Sequence, residues 1–156
     1  MSDLADAANV SRQTLYNRFS TKQAVLDWAV EGISAESEAR ALNALGATEM
    51  SPEVRIIRFF VEWLGVHTSL IHKSPHGVEI FEMSKASQSS ALEASHERCA
   101  DALAKVLTSE GITPSGEAGA DLAFVLIMAS KGLVIVSADE AAFEAGMTRI
   151  VRAVLS

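Results

Sequence analysis

One cysteine, Cys99, stands in 156 residues, so no disulfide can form within the chain. No secretory leader is evident at its start, and together these absences point to a cytoplasmic protein. Strand alternation and hairpin turns are missing, which leaves helix as the prevailing element. The longest apolar run, Leu122 to Ala129, stops at Ser130 and Lys131. It is too short to span a bilayer and is expected to be a buried helix, so no membrane partner is expected. No glycine-rich phosphate loop, serine elbow or cysteine–histidine dyad is found. A Glu-x-x-His pair occurs at Glu93 and His96, whereas a di-iron bundle needs two such pairs. Glu93 and His96 therefore read as a solvated face. His72 and His76 are separated by the helix breaker Pro75. No metal, cofactor or enzymatic activity is expected.

Acid is missing from one place in particular. Residues 7–26 contain no Asp or Glu but do contain Arg12, Arg18 and Lys22, in a chain whose net charge is -7. The chain after residue 26 carries 10 Lys/Arg against 18 Asp/Glu. One end is thus suited to a negatively charged partner that the rest repels.

What is present is apolar and helical. With 49% hydrophobic residues the chain can bury a core. Helices are expected over 3–8, 12–18, 22–45, 52–73, 76–84, 89–110, 115–137 and 139–155. The three prolines mark helix ends, and Ser51-Pro52 and Thr113-Pro114 each place a capping hydroxyl before a first-turn proline. Short links between long helices predict an all-α bundle. The helix from Pro52 is apolar almost all round, as a central helix is. The last helix carries a narrow seam of Phe143, Met147, Ile150 and Val154, suited to another helix of the same chain or of a second subunit.

The stretch "NVSRQTLYNRF" at residues 9–19 reads as a turn followed by a helix. Leu4, Ala5 and Ala8 form one face of a preceding helix that Ser2 or Asp3 can cap. Asn9 suits the left-handed stop, Val10 plugs the turn and Ser11 caps the next helix. Leu15 and Phe19 define a buried side, and 100° per residue puts Gln13 and Asn17 opposite it. Thr14 and Tyr16 flank that ridge. Gln and Asn pair bidentately with adenine in a major groove, while hydroxyl and cationic groups suit phosphates. In "STKQ", Ser20 is expected to cap the following helix with Gln23 reaching back, and Lys22 sits in a first turn suited to phosphate.

These features together resemble the DNA-binding signature of the TetR family of bacterial transcriptional regulators, carried by "LADAANVSRQTLYNRFSTKQAVLDWAV". The C-terminal "KGLVIVSADEAAFEAGMTRIVRAVL" is similar to that family's closing two helices. The resemblance implies a helix-turn-helix module over 1–45, incomplete at its N-terminus because the family's first helix has no room before the motif. It implies a ligand-binding and dimerisation domain over 46–156. Tyr16 and Lys22 would contact phosphates, and Gln13, Thr14 and Asn17 would face bases, with Arg12 beside them. The partners implied are a palindromic operator duplex, a small effector and a second copy of the chain.

His67 is expected to point inward, as a core histidine or as the polar anchor of an apolar ligand cavity. Trp63, Phe81, Met83, Cys99, Leu103, Phe124 and Met128 are the candidate lining. Leu133, Val136, Phe143, Met147, Ile150 and Val154 are the candidate dimer interface, with Gly132 permitting close approach. The reading is a ligand-responsive repressor released by a small apolar effector. The alternatives are a dimeric small-molecule-binding protein that no longer grips DNA, or a helical-bundle enzyme.

Overall fold

A computed structural model describes residues 5–6, 9–73, 77 and 90–155. No strand occurs among the described residues, and the all-α class is as expected. The elements are α1 (Arg12–Arg18), α2 (Lys22–Gly46), α3 (Pro52–Phe60), a π-helical turn (Val61–Gly65), α4 (Val66–Lys73), α5 (Ser90–Ser109), α6 (Gly116–Val136) and α7 (Glu140–Leu155). Apart from residue 77, the helix expected over 76–84 lies outside the described residues, as does most of the one over 3–8.

Local chemistry sets the boundaries. Ser51 accepts from the Val54 amide with Pro52 in the first turn, as the sequence implies. α6 starts later than expected: Ser115, not Thr113, accepts from the Ala118 amide. Thr113 is instead buried beside the Thr108 hydroxyl, 3.4 Å away. The expected 52–73 rod is continuous but carries the π turn. There Gly65 lets Phe143 close in, since an added Cβ would stand 3.0 Å from that ring. The Thr68 hydroxyl donates to the Gly65 carbonyl at 2.6 Å, which satisfies a backbone group at the irregular turn.

The core forms around α3 and the π turn, which touch α2 and α7. Ile56, Phe59 and Phe60 meet Cys99, Leu103 and Leu107 of α5, Leu126 of α6, and Phe143, Met147 and Val151 of α7. Phe59 and Phe60 pack edge to face with ring centroids 5.0 Å apart. Charge is admitted where it is paired. Buried Arg55 donates to the Leu45 carbonyl at the end of α2 (2.7 Å) and to Glu110 beyond α5 (2.6 Å). Arg98 of α5 holds Glu38 of α2 through two bonds, 2.5 and 2.8 Å.

Two expectations about the last helices are corrected. Phe143 and Met147 are fully buried, so within one chain they are core and not an outward seam. Ile150 is partly buried against the same core, and Leu133 is engaged by Gly146, where a Cβ would stand 2.8 Å from its methyl. Val136 and Val154 remain exposed. The second correction concerns α6, expected to be buried. One face, with Gly119, Ala123, Leu126, Ile127, Ser130 and Val134, enters the core. The other exposes Phe124, Val125, Met128, Ile135 and Val136. By length and composition α6 could cross a bilayer, contrary to the reading of its apolar run as too short. Its inner face nevertheless packs on α5 and α7, as core helices do.

Candidate nucleic-acid interface

The N-terminal turn is built by backbone chemistry. Asn9 adopts φ 52°, the left-handed conformation its short polar side chain tolerates. Its amide bonds the Asp6 carbonyl (3.1 Å) and the Val10 amide bonds the Ala5 carbonyl (3.0 Å). That bonding is the Schellman pattern, with Asn9 where glycine is usual. Val10 does not plug the turn as expected; its side chain is exposed. Ser11 then caps α1 by accepting from the Thr14 amide at 3.0 Å, and the Ser11 and Thr14 hydroxyls share a 2.8 Å bond.

α1 buries Leu15 and exposes Arg12, Gln13, Thr14, Tyr16 and Asn17. The ridge of Gln13 and Asn17 is therefore solvent-facing, with Tyr16 52% exposed on its shoulder. The two ridge amides are bonded to each other, Gln13 Nε2 donating to Asn17 Oδ1 at 2.9 Å. Arg18 is not part of the ridge. Its guanidinium stacks over Trp28 (5.3 Å) and Phe19 (5.7 Å), rings that themselves lie 5.5 Å apart.

The expected "STKQ" capping box is not formed. Thr21, one residue later than Ser20, accepts from the Ala24 amide at 3.1 Å, and Gln23 donates to Asp27 at 2.8 Å. With Thr21 as the cap, Gln23 occupies the second helical position and cannot reach back. Lys22 becomes the first residue of α2, exposed and next to free first-turn amides, with no acid in that turn.

The candidate effector residues divide. Trp63 (4% exposed), Cys99 and Leu103 are in the core, and half-buried His67 faces α2. His67 Nε2 lies 3.4 Å from the hydroxyl of fully buried Ser37. That hydroxyl donates to the Ile33 carbonyl and receives Arg40. Burial holds the His67 ring below the ordinary histidine value, and the Arg40 charge adds to this against a backbone bond at Trp63. Burial likewise pushes the Cys99 thiol up to about 12, so it stays protonated and unreactive. Phe124 and Met128 do not join this group; at 64% and 50% exposed they lie on the outer face of α6. Phe81 and Met83 lie outside the described residues. Glu93 and His96 are exposed as expected, and the His96 ring also stands 5.2 Å from that of Trp63.

Two hollows stand out among the described residues. One, about 360 Å³, opens between the end of α2 and α3 beside Arg40, Asn43, Met50, Arg58 and Glu62. The other, about 90 Å³, lies between α2 and α5 beside Ser34, Glu38, Ser95 and Arg98. Both are polar. Among the described residues no three His, Cys, Asp or Glu side chains gather as a metal site would require.

The outer face of α6 was only partly anticipated: Gly132 and Val136 were expected at an interface, but Phe124 and Met128 were expected in a cavity and Val125 and Ile135 were not singled out. Its signal was available: Val125, Met128, Gly132 and Ile135 follow a three-and-four spacing, with Phe124 and Val136 alongside. Comparison with known families matches residues 1–28 to the one described as bacterial regulatory proteins, tetR family. Comparison with the curated proteins and with the solved structures found no match.

Proposed function

We propose that this chain, a DNA-binding transcriptional regulator carrying the N-terminal module of the tetR family, is a homodimeric repressor that a small effector releases from a palindromic operator. The observation that carries the reading is the exposed Gln13–Asn17 ridge opposite buried Leu15, in a stretch free of acid over residues 7–26. Gln13, Asn17 and Thr14 face bases, while Arg12, Tyr16 and Lys22 take phosphates on either side. A protein that reads DNA in this way works in the bacterial cytoplasm.

Dimerisation follows from the geometry of such operators. One recognition helix covers a half-site, and its twin must lie about one helical turn away. The face offered for pairing is the outside of α6, with Phe124, Val125, Met128, Ile135 and Val136 exposed together. A contiguous apolar stripe of that kind on a soluble chain marks an interaction surface. A Cβ added at Gly132, within the stripe, meets nothing in the monomer, which leaves room there for a second backbone. Val154 of α7 is exposed as well, Leu133 and Ile150 are partly buried, and Phe143 and Met147 belong to the core beneath the surface. An isologous contact places each residue twice, so Met128→Glu introduces two facing carboxylates.

The effector is assigned to the side of α2 that packs on the π turn and α5, where Trp63 and Cys99 lie in the core and His67 stands beside Ser37. α2 runs from Lys22 at the DNA end to Ser37 beside His67, so a ligand there acts on the helix that also positions α1.

The test is selection from a pool of random duplexes by the full chain, with sedimentation of the same protein. Enrichment of a two-fold sequence by a dimer that Met128→Glu converts to a folded monomer is expected. A dimer that enriches no sequence leaves the alternative of a small-molecule-binding protein without DNA affinity.

A further inference from the structure

We infer that Gln13 and Asn17 read DNA as one unit, in which the Asn17 side-chain oxygen orients Gln13 toward adenine and Asn17 presents its amide hydrogens to an acceptor on a neighbouring base. The inference rests on α1 being the recognition helix and assigns the chemistry of that helix's ridge.

The two residues are four apart on the exposed side of α1, and Gln13 Nε2 donates to Asn17 Oδ1 at 2.9 Å. A primary amide carries two N–H donors and one carbonyl acceptor. Giving one hydrogen to Asn17 leaves Gln13 a carbonyl oxygen and a second hydrogen. That donor–acceptor set is the one adenine requires, with N7 accepting and the N6 amino group donating. Asn17 is left in the complementary state. Its oxygen is engaged by Gln13, which leaves the two N–H groups of an exposed amide to donate. It is matched to an acceptor edge: N7 and O6 of guanine, or O4 of thymine.

The bond also limits the freedom of Gln13, whose flexible side chain would otherwise be ordered only on binding. Fixing it beforehand lowers the entropy cost of the base contact. The shoulder is fixed as well, since the Thr14 hydroxyl is tied to the Ser11 cap. Asn17 is thus a positioning residue for Gln13 and a reader in its own right. Two independent amides would behave differently, each free to take adenine and each contributing separately.

The experiment uses the full chain and a randomised duplex pool. Binding is then measured to the enriched duplex and to each of its single base-pair substitutions. Gln13→Ala identifies the position Gln13 reads, where the preference for adenine collapses. At that same position Asn17→Ala is expected to reduce the adenine preference by about tenfold. Asn17→Asp keeps an oxygen for Gln13 but has no hydrogens to donate. It should retain the adenine preference, lose the preference at the neighbouring position, and bind all duplexes more weakly because it adds a negative charge. The ratio between sequences reads through that uniform loss. An adenine preference unchanged in Asn17→Ala, or lost equally in Asn17→Asp, overturns the pair while leaving α1 as the recognition helix. A wild-type chain that enriches no sequence overturns the recognition helix itself, and the pair with it. Both residues are exposed, and unchanged far-ultraviolet circular dichroism confirms that each variant is folded.

Discussion

Among the described residues up to 20, Ala5 and Leu15 are the buried side chains, whereas α3 alone buries Arg55, Ile56, Ile57, Phe59 and Phe60. The two regions hold their shapes by different means. The N-terminal module relies on a left-handed Asn9, a Schellman turn and hydroxyl caps at Ser11 and Thr21. Each cap contributes about 1 kcal/mol. The bundle relies on apolar burial, where one large side chain is worth several times as much. The module is therefore locally adjustable, and the bundle is cooperative. Under the proposed reading this division suits the task, because a locally held α1 can settle into a groove without disturbing the domain that carries it.

The largest expected effect lies in the bundle. Phe143 is fully buried against Gly65 and the π turn, so Phe143→Ala should cost about 3–5 kcal/mol of stability. Chemical denaturation followed by circular dichroism checks it, and operator binding should fail along with the fold. Gly119→Ala comes next. Its Cβ would collide with the Thr108 hydroxyl and stand 2.9 Å from the Ala104 carbonyl oxygen, which is backbone and cannot swing away. The expected loss is about 1–3 kcal/mol, and a variant as stable as the wild type would show that α5 and α6 can separate locally.

A change in the module should act differently. Asn9→Val places a β-branched residue at φ 52°, at a cost of about 1–2 kcal/mol confined to the turn. Operator binding should weaken while the denaturation midpoint of the bundle stays put, and Asn9→Gly should behave as wild type. A midpoint that falls with Asn9→Val would mean the two regions unfold together, which would dissolve the contrast between them.

The module was the more legible region, because its signals are local. The αL residue, the cap and the four-residue spacing of Leu15 and Phe19 all lie within a dozen positions. Adjacent hydroxyls defeated the finer reading: Ser20 and Thr21 are equally good caps, and only the backbone chooses Thr21. In the bundle, helix extents were readable from periodicity and proline placement, but partners were not. The seam of Phe143 and Met147 looks the same whether the facing helix belongs to this chain or to another, and the structure gives it to α3 and the π turn. α6 is apolar on two faces, so its pattern could not say that Leu126 turns inward and Met128 outward. The Glu38–Arg98 pair joins residues sixty apart, and nothing local in either helix announces it.

The smallest effect expected is a pH dependence confined to the bundle, and its sign follows from His67. The folded chain holds this ring below the ordinary value of 6.5, chiefly because burial disfavours its charged form, with Arg40 adding repulsion. Unfolded, the ring takes up its proton near that ordinary value, so the unfolded state binds more protons as the pH falls through it. The stability contribution is therefore fully present above 6.5 and is lost progressively as pH falls toward the folded value. Glu38 does not interfere in that window. The Arg98 bond holds its carboxyl below 4.5, so its own contribution disappears only under more acidic conditions. His67→Gln keeps a polar group beside Ser37 and removes the titration. Between about pH 7 and pH 5 the wild-type denaturation midpoint should decline more steeply than that of the variant. The caps and turn of the N-terminal module contain no histidine, so the base preferences of α1 should be the same at both ends of the range. Parallel midpoints for wild type and His67→Gln would show that His67 charges without cost. The seam between α2 and α4 would then be wetter than the buried Ser37 implies.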